Sequence, residues 1–411
     1  MPHGFPIYPW LCLLFTYIRG LNSTVGESRM KSLLLKPRSC SRVLQGHPWV
    51  FAGEVQDLLP GSENGKTVVL RDSRKRILGS GVYNQNSKII WRRYAWNKVP
   101  FSMQFIRKSI EKAIQRRPVE TCRRLVWSES DLLPGLVVDQ YGDALVVQAL
   151  TLAIDMRLPA IATILQELTN AKAVVFRNDA SVRKLEGLET YVGTFNDQVL
   201  EPLNLDIDGL SYQLDLLKGQ KTGFYLDQRE QHALVSTFAK GGAVLDAFCN
   251  QGAFALQCAK AGAKSVIGID SSDTAVQLAR YNAKENRLEA TFEVENVFDY
   301  FTNNRDERFD LIVLDPPPFA RSHAQVEGAL KGYKEINLRA IKALNPGGIL
   351  ATYTCSQAFS MEVFEDLVSG AASDARRTIQ ILHHCYQAKD HPILLTMPES
   401  AYLHGLILEA D

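Results

Sequence analysis

The chain has 411 residues, of which 46% are hydrophobic and 22% are charged, and its formal net charge is +1. This length and composition predict two or three globular domains with ordinary hydrophobic cores. The seven cysteines are odd in number and include no C-x-x-C pair, which argues against a disulfide scaffold or a zinc ribbon and favours a reducing, cytoplasmic environment.

The first 30 residues differ in character from the rest of the chain. Residues 10–18 form an apolar run that is far shorter than the ~20 residues of a transmembrane helix, and no basic segment precedes it. We therefore predict neither a membrane span nor a signal peptide. The segment K-S-L-L-L-K-P directly after Met30 is typical of a domain start. We expect the working protein to begin near Met30, with residues 1–30 as a disordered tail or a start-site artefact.

Residues 31–98 are predicted to form a small β-barrel, because short strand-like runs alternate with turn signals. This region contains 13 Lys and Arg against 4 Asp and Glu, a net charge of +9 in a chain whose total is +1. Such asymmetry is typical of a module that docks on a polyanion.

Cationic and aromatic side chains of this region are the candidate RNA ligands, since cations contact phosphates and aromatic rings stack on unpaired bases. Arg71, Arg74 and Lys75 cluster at a predicted turn, and Arg92 is interleaved with aromatic residues. Trp49, in the segment G-H-P-W-V-F, is the candidate aromatic contact. The alternatives are that the tryptophans belong to the barrel core and that the cations form a solvated face.

Residues 99–200 are predicted to form a helical linker followed by a small α+β domain. Apolar residues recur at helical spacing over residues 102–116, and Pro118 ends this helix. Strands are predicted at residues 135–139, 144–150 and 173–177, with a helix at residues 157–168.

Residues 201–411 are predicted to form a doubly wound, Rossmann-like α/β domain, because strand patterns alternate with helical ones. Its seven strands are predicted at residues 243–249, 265–270, 290–296, 309–315, 349–355, 378–385 and 402–410. A helix is predicted at residues 333–344, and the following N-P-G-G, residues 345–348, is predicted to form a turn.

The segment V-L-D-A-F-C-N-Q-G-A-F, residues 244–254, is predicted to be a strand, a nucleotide-binding turn and a helix that starts near Ala253. The turn has one glycine, Gly252, and lacks the three-glycine fingerprint of a pyrophosphate site. S-adenosylmethionine fits such a turn, since it carries an adenosine and a charged amino acid but no phosphate. A dinucleotide enzyme and an unliganded α/β core are the alternatives.

Polar residues stand where the predicted strands end, which is where ligands bind in open α/β sheets. Asp246 ends the first strand, and Asp270 follows it by 24 positions, near the interval at which an acidic residue binds ribose hydroxyls. Asn296 ends the third strand, where its side-chain carbonyl could accept from an adenine amino group. Together the three positions predict an adenosine pocket.

The fourth and fifth strands end in D-P-P-P-F, from Asp315 to Phe319, and in T-C-S around Cys355. The three prolines form a stiff arm that suits a site gripping a planar group. If the two strands are neighbours, their ends are ~4.8 Å apart and Cys355 lies beside Asp315. A catalytic thiol needs positive surroundings, because a free thiol is only a few per cent ionised at neutral pH.

Five motifs in matching order resemble bacterial large-subunit ribosomal RNA methyltransferases that make 5-methylcytosine. They are G-H-P-W-V-F, K-T-G-F-Y-L-D-Q-R from Lys221, D-P-P-P-F, T-C-S and D-H-P from Asp390. The resemblance covers residues 31–411. It implies a multidomain protein with a β-barrel PUA domain at residues 31–98, a small α+β central domain at residues 99–200 and a seven-stranded, Rossmann-like class I methyltransferase domain at residues 201–411.

The resemblance also implies the chemistry. Cys355 adds to carbon 6 of an extruded cytosine, carbon 5 takes a methyl group from S-adenosyl-L-methionine, and Asp315 holds the base. The implied partner is large-subunit ribosomal RNA, with Phe319 among its contacts and without a metal or a membrane; a homodimer is one alternative for the oligomeric state. The implied cofactor-binding residues are Tyr225, Asp227, Arg229, Asp246, Phe248, Gly252, Asp270, Asn296 and Asp315.

Two positions depart from the wider pattern. Pro317 stands where many RNA cytosine methylases carry a second cysteine, and Asn296 stands where relatives usually have Asp. The base that removes the carbon-5 proton is therefore unassigned. Three other functions stay open: methylation at guanine N7 or an exocyclic amine, a non-catalytic ribosome-binding protein, and a nicotinamide-dependent oxidoreductase.

Overall fold

The computed structural model describes residues 30–37, 41–219, 221–319, 326–356 and 359–411. The predictions for residues 1–29 lie outside these ranges. Within them, the strands form two five-stranded sheets, one two-stranded hairpin and one seven-stranded sheet. None of the helices in the described ranges combines the length and the apolar character needed to cross a membrane.

The N-terminal sheet has the strand order β1-β3-β4-β5-β2. Trp91 and Tyr83 are almost fully buried in its core, and the indole Nε1 of Trp91 donates to the carbonyl of Val68 at 2.9 Å. Trp91 is therefore a core residue, as the alternative interpretation held. The elements are β1 (Ser32–Leu34), α1 (Ser41–Leu44), β2 (Trp49–Phe51), β3 (Thr67–Arg71), β4 (Ile77–Tyr83) and β5 (Ile89–Ala95).

The central sheet has the order β10-β9-β8-β7-β6. The predicted linker helix is present, and the Ser102 hydroxyl caps it by accepting from the backbone N–H of Phe105 at 3.2 Å. Tyr94 of the N-terminal sheet packs in one cluster with Ile106 and Leu145, so the two sheets share a core. The elements are α2 (Met103–Gln115), β6 (Cys122–Trp127), β7 (Leu136–Tyr141), β8 (Ala144–Ala149), α3 (Leu152–Asp155), α4 (Leu158–Thr169), β9 (Ala173–Asn178) and β10 (Tyr191–Thr194).

The C-terminal sheet contains the seven predicted strands in the order β15-β14-β13-β16-β17-β19-β18. Its first five strands in this order are parallel, and β19 runs antiparallel to both of its neighbours. The strands are β13 (Ala243–Ala247), β14 (Ser265–Asp270), β15 (Thr291–Val294), β16 (Phe309–Leu314), β17 (Leu344–Thr354), β18 (Ile379–Tyr386) and β19 (His404–Ala410), preceded by the hairpin β11 (Leu203–Ile207) and β12 (Leu210–Leu214).

Alternate residues of each inner strand of the C-terminal sheet point to opposite faces, and both faces are apolar and covered by helices. Leu311 and Val313 belong to one hydrophobic cluster, whereas Ile312 and Leu314 belong to the other. With both faces covered, a ligand reaches this sheet at the ends of its strands. The helices are α5 (Arg229–Ser236), α6 (Ala253–Lys260), α7 (Asp273–Glu285), α8 (Val297–Asn303), α9 (Val326–Ala343) and α10 (Met361–Ala375).

Two sequence predictions for this sheet are corrected. The segment predicted as a turn at residues 345–348 lies inside β17, because Leu344 pairs with Phe309 before an irregularity in the register and the pairing resumes at Ile349. The helix predicted at residues 333–344 begins earlier, at Val326, and Ala329 in its first part is buried in the core.

Candidate active site

A cleft of about 490 Å³ opens at the carboxyl ends of the C-terminal strands. It is formed by residues that follow β13, β14, β15, β16 and β17, together with the segment before α5. Most of the predicted site residues of the C-terminal region meet here, although they are far apart in the sequence. These are Tyr225, Asp227, Phe248, Asp270, Asn296, Asp315, Phe319 and Cys355.

The topology of the sheet brings Asp315 and Cys355 together. Strands β16 and β17 are parallel neighbours, with Leu314 opposite Thr352, so both chains leave the sheet at the same edge. Cys355 is half-buried, whereas the other cysteines in the described residues are buried. The predicted adjacency of the thiol and the carboxylate at one rim of the sheet is therefore confirmed.

Asp270 fixes two turns at the cleft. Its Oδ2 accepts from the backbone N–H of Asn250 at 2.9 Å, and its Oδ1 accepts from that of Ser272 at 2.9 Å. The first turn follows β13 and the second starts α7. The carboxylate thus holds the predicted nucleotide-binding turn against the end of β14 while lining the cleft itself.

Asn296 differs from its predicted use. Its side-chain oxygen caps α8 by accepting from the backbone N–H of Phe298 at 2.8 Å and of Asp299 at 3.4 Å. This oxygen is directed to the helix, so the proposed acceptance from an adenine amino group is corrected. The side chain still lines the cleft, although it is exposed, and its amide NH2 is a donor.

Gly252 and Asp246 lie outside the cleft lining. Gly252 has a φ of 85°, and a Cβ there would lie 3.0 Å from the Phe292 ring. The turn and the packing against β15 both require this glycine, and its predicted approach to the cofactor stays a prediction.

Asp246 lies beneath the turn and is 1% exposed. Its Oδ2 accepts from the backbone N–H of Ala255 at 2.9 Å, and its Oδ1 has no hydrogen-bond partner among the described residues. Burial raises its pKa to about 7, and the charges of Asp315 and Asp270 add to the rise. An unpaired carboxylate oxygen in this position fits a ligand that carries positive charge.

Asp315 and Cys355 both titrate higher than in water. Burial raises the pKa of Asp315 to about 7, although Lys221 opposes the rise and the Gln228 side chain hydrogen-bonds to the carboxylate. Burial raises the pKa of Cys355 to about 11, the Asp315 charge adds to the rise, and Lys221 again opposes it. The thiol is therefore protonated at neutral pH in the absence of a bound cation.

Phe319 closes one side of the cleft. Its ring centroid lies 4.5 Å from that of Tyr333, 6.2 Å from that of Phe298 and 6.5 Å from that of Phe248. The ring is half-buried and held among aromatic neighbours, so its orientation is fixed before a ligand binds.

Arg229 lies outside the cleft. Its guanidinium Nε donates to Asp208 at 3.0 Å, and the group also pairs with Glu120. These partners belong to the loop of the β11–β12 hairpin and to the segment before β6. The predicted cofactor contact of Arg229 is corrected, because the side chain joins the C-terminal region to the central one.

Two residues that were predicted to contact RNA bind Glu129 of the central domain. Arg92 is largely buried, with ion pairs to Glu129 at 2.9 Å and to Glu186 at 3.5 Å. The indole Nε1 of Trp49 donates to Glu129 at 2.7 Å. Both side chains therefore join the N-terminal sheet to the central domain. The predicted role of Arg92 on an RNA surface is corrected, whereas Trp49 is half-buried and its stacking on RNA stays a prediction.

The turn predicted at Arg71, Arg74 and Lys75 is present, and two of its cations are exposed to solvent. Asp72 anchors it by accepting from the backbone N–H groups of Arg74 and Arg76 at 2.9 and 2.8 Å. Arg74 and Lys75 are exposed at its tip, whereas half-buried Arg71 donates to the Lys75 carbonyl at 2.8 Å.

Sequence reasoning missed several residues of the cleft, among them His232 and Gln251, and it predicted that the segment starting at Lys221 closes over the cofactor without giving Lys221 a role of its own. His232 lies on α5, where its position resembled that of an ordinary core residue. Burial lowers its pKa to about 4, and its ring centroid lies 4.4 Å from that of Phe254, so it is neutral at physiological pH. Within the described ranges, no group of three His, Cys, Asp or Glu side chains is arranged to hold a metal ion.

Comparisons with known proteins identify the two outer regions. Residues 33–96 match a family model described as a PUA-like domain, and residues 238–395 match one described as a methyltransferase domain. The first range contains the whole N-terminal sheet except Ser32, the first residue of β1. The second contains the cleft residues from Phe248 to Cys355.

Two curated relatives match over almost their whole length, and both are named ribosomal RNA large subunit methyltransferase I. The relative from Tolumonas auensis is 38% identical over 382 residues, which are 90% of this chain and 96% of the relative. The relative from Shewanella denitrificans is 37% identical over 387 residues, which are 91% and 98% of the two chains.

Two solved structures share the architecture. A protein from Streptococcus mutans described as a SAM-dependent methyltransferase has a TM-score of 0.79 at 19% identity, over 92% of this chain and all of that one. A methyltransferase complexed with SAH has a TM-score of 0.80 at 20% identity and the same coverage. The predicted PUA and class I methyltransferase folds are confirmed, as is S-adenosylmethionine as the cofactor.

Proposed function

Because the chain belongs to the ribosomal RNA large subunit methyltransferase I family, we propose that it methylates carbon 5 of a cytosine in large-subunit ribosomal RNA. The observation that carries this proposal is the half-buried thiol of Cys355, which shares one cleft with Asp315 and with the cofactor-binding strand ends. A methyltransferase directed at an amine or at guanine N7 has no need of a nucleophile there.

In the proposed mechanism the target cytosine leaves its stack and enters the cleft. The Cys355 thiolate adds to carbon 6 and forms an S–C6 bond, which makes carbon 5 electron-rich. Bound S-adenosylmethionine supplies a methyl group on a positively charged sulfur. When carbon 5 has gained the methyl group, its proton passes to a base, the S–C6 bond breaks, and the ring double bond and the Cys355 thiolate are restored.

Asp315 orients the cytosine. The three prolines after it restrict the backbone, so the carboxylate stays at the rim of the sheet beside Cys355. With a pKa of about 7, this group carries a proton in part of the molecules at neutral pH. It is therefore suited to share a proton with the ring nitrogen of the base, which favours addition at carbon 6.

The remaining strand ends hold the cofactor. In this proposal Asp270 accepts from ribose hydroxyls, and the amide NH2 of Asn296 donates to an adenine ring nitrogen; the support is that both side chains line the cleft. The unpaired oxygen of Asp246 and the carboxylates along the cleft favour a cationic ligand. On the N-terminal sheet, Arg74 and Lys75 supply exposed positive charge for phosphate contacts.

The test compares wild-type protein with Cys355→Ala and with Cys385→Ala, a control in which a buried cysteine outside the cleft is changed. Methylation of ribosomal RNA is read by bisulfite sequencing, and the covalent intermediate is trapped with RNA that contains 5-fluorocytosine, whose carbon 5 cannot lose a proton. We expect Cys355→Ala to lose both the methyl mark and the adduct, and Cys385→Ala to keep both. A bisulfite mark made by Cys355→Ala would refute the role of the thiol, and methyl transfer by the wild type without a bisulfite mark would favour a guanine or amine target.

A further inference from the structure

We propose that Lys221 stabilises the thiolate form of Cys355, that Asp227 and Tyr225 hold the Lys221 ammonium group in place, and that Tyr402 holds Asp227. Lys221 is thus a positioning residue for the nucleophile. The purpose of this arrangement rests on the proposed function, but the electrostatic relation between the two side chains does not depend on methyl transfer and is tested without it.

The cleft is lined by carboxylates, which disfavour a thiolate unless a cation lies nearby. Asp227, Asp270 and Asp315 line it, and among the described lining residues Lys221 is the only Lys or Arg. A thiolate formed at Cys355 meets the negative charge of Asp315 beside it, and burial removes the water that would otherwise stabilise it. Without a cation in the protein, the nucleophile would depend on the cofactor charge alone.

Several contacts fix the Lys221 side chain. Its Nζ lies 3.0 Å from Asp227 Oδ2 and 3.3 Å from Asp227 Oδ1, and it lies 4.0 Å from the centroid of the Tyr225 ring. An ammonium group over an aromatic face and beside a carboxylate is held by two attractive interactions at once. The side chain is therefore confined near the cleft although it is partly exposed.

The backbone of Lys221 supports the same conclusion. Its φ is 49°, in the left-handed region that non-glycine residues seldom adopt. Strained conformations of this kind persist when surrounding contacts determine them, and they are concentrated at functional sites. Here the conformation accompanies the two contacts that direct the ammonium group into the cleft.

Asp227 is a fixed partner for Lys221. It is 5% exposed, and its Oδ2 also accepts from the Tyr402 hydroxyl at 2.8 Å. Burial alone would raise its pKa, but Lys221 and His391 beside it hold the pKa well below the usual range. The carboxylate thus stays ionised at neutral pH, and it holds the Lys221 ammonium group in place.

The groups that face the thiol act in opposite directions. Burial and the charge of Asp315 raise the pKa of Cys355, Lys221 lowers it, and Asp227 partly cancels Lys221. Tyr225 and Tyr333 also interact with the thiol, but burial raises their own pKa values, so they stay neutral. Lys221 is accordingly the side chain whose removal should change the reactivity of Cys355 most directly.

The experiment measures alkylation of Cys355 by iodoacetamide in the full-length protein, without RNA or cofactor. In this reaction the thiolate forms an S–C bond and iodide leaves. Rates are followed between pH 7 and 9 by mass spectrometry of the Cys355 peptide, which separates this thiol from the others. The variants are Lys221→Met, Lys221→Arg and the control Lys218→Met, which changes a nearby lysine of the same segment that does not line the cleft.

We expect Lys221→Met to alkylate about tenfold more slowly than wild type at each pH, which corresponds to a rise of about one unit in the thiol pKa. Lys221→Arg should stay within about threefold of wild type because it keeps the charge, and Lys218→Met should be unchanged. Equal or faster alkylation in a Lys221→Met protein with a wild-type thermal melting curve would overturn the proposal.

This test is separable from that of the proposed function. If Lys221→Met slows alkylation and Cys355→Ala still methylates RNA, the electrostatic relation holds and the cytosine mechanism fails. If Cys355→Ala loses methylation and adduct but Lys221→Met alkylates at the wild-type rate, the cytosine mechanism holds and the role of Lys221 fails.

Discussion

The charge of the cofactor should control the reactivity of Cys355. Burial raises the pKa of this thiol from its ordinary value of 9.0 to about 11. At pH 7.5 an ordinary thiol is then ~3% ionised and Cys355 only ~0.03%, a ratio of ~100. The protein without cofactor should therefore alkylate at Cys355 ~100-fold more slowly than a solvent-exposed thiol, before steric protection is counted.

A bound sulfonium changes this balance. At a separation of about 5 Å and an effective dielectric constant of ~20, a positive charge stabilises a thiolate by ~3 kcal/mol, or about two pKa units. Saturation with S-adenosylmethionine should thus raise the alkylation rate of Cys355 by most of the ~100-fold that burial removes. S-adenosylhomocysteine, which lacks the charge, should return none of it.

The assay is the site-resolved alkylation of Cys355 at pH 7.5 with each ligand at saturation. Sinefungin is the matched control, since it carries a cationic amine in place of the methylated sulfur and cannot donate a methyl group. We expect S-adenosylmethionine and sinefungin to accelerate alkylation relative to S-adenosylhomocysteine, which occupies nearly the same volume. Equal rates with all three ligands would refute the reasoning, because occlusion of the thiol is common to them whereas the charge is not.

Three further predictions concern single residues. Asp315→Asn should speed alkylation of the nearby thiol several-fold because it removes a negative charge, while RNA methylation falls by ~10²-fold or more in single-turnover assays. Gly252→Ala should lower the free energy of unfolding by ~2–4 kcal/mol in urea titrations, since its φ is 85° and the new Cβ meets Phe292 at 3.0 Å. Arg92→Met should lower the free energy of unfolding by ~3–5 kcal/mol in the same titrations, because it leaves Glu129 buried without its cation. A decrease in the free energy of unfolding below about 1 kcal/mol, for either variant, would contradict the packing of these residues.

The arrangement of Asp315 and Cys355 could be predicted from the sequence because it depends on the topology alone. Strand and helix patterns alternate along residues 243–354, which implies parallel strands whose carboxyl ends meet at one edge. A residue directly after such a strand reaches that edge whatever the details of packing. The prediction therefore needed only the strand ends, and these were placed to within a few residues.

The roles of Trp49 and Arg92 could not be predicted in this way. A cation interleaved with aromatic residues is typical of an RNA surface and equally typical of a buried contact between domains. The partners decide between the two, and Glu129 and Glu186 lie 37 and 94 positions from Arg92 in the sequence. No local pattern contains that information.

The tertiary partners of the two cations in the segment that starts at Lys221 could not be predicted from the sequence either. Lys221 and Arg229 are eight positions apart in one motif, yet the first lies in the cleft and the second pairs with Asp208 outside it. The segment between them is a loop followed by a short 3-10 turn, so no regular period relates their directions. What separates them is the position of the counterion: Asp227 is buried beside the cleft, and its charge holds one cation in the cleft that Cys355 also lines. The electrostatics of the Cys355 thiol thus depend on tertiary contacts of a residue whose own type and position in the motif do not reveal those contacts.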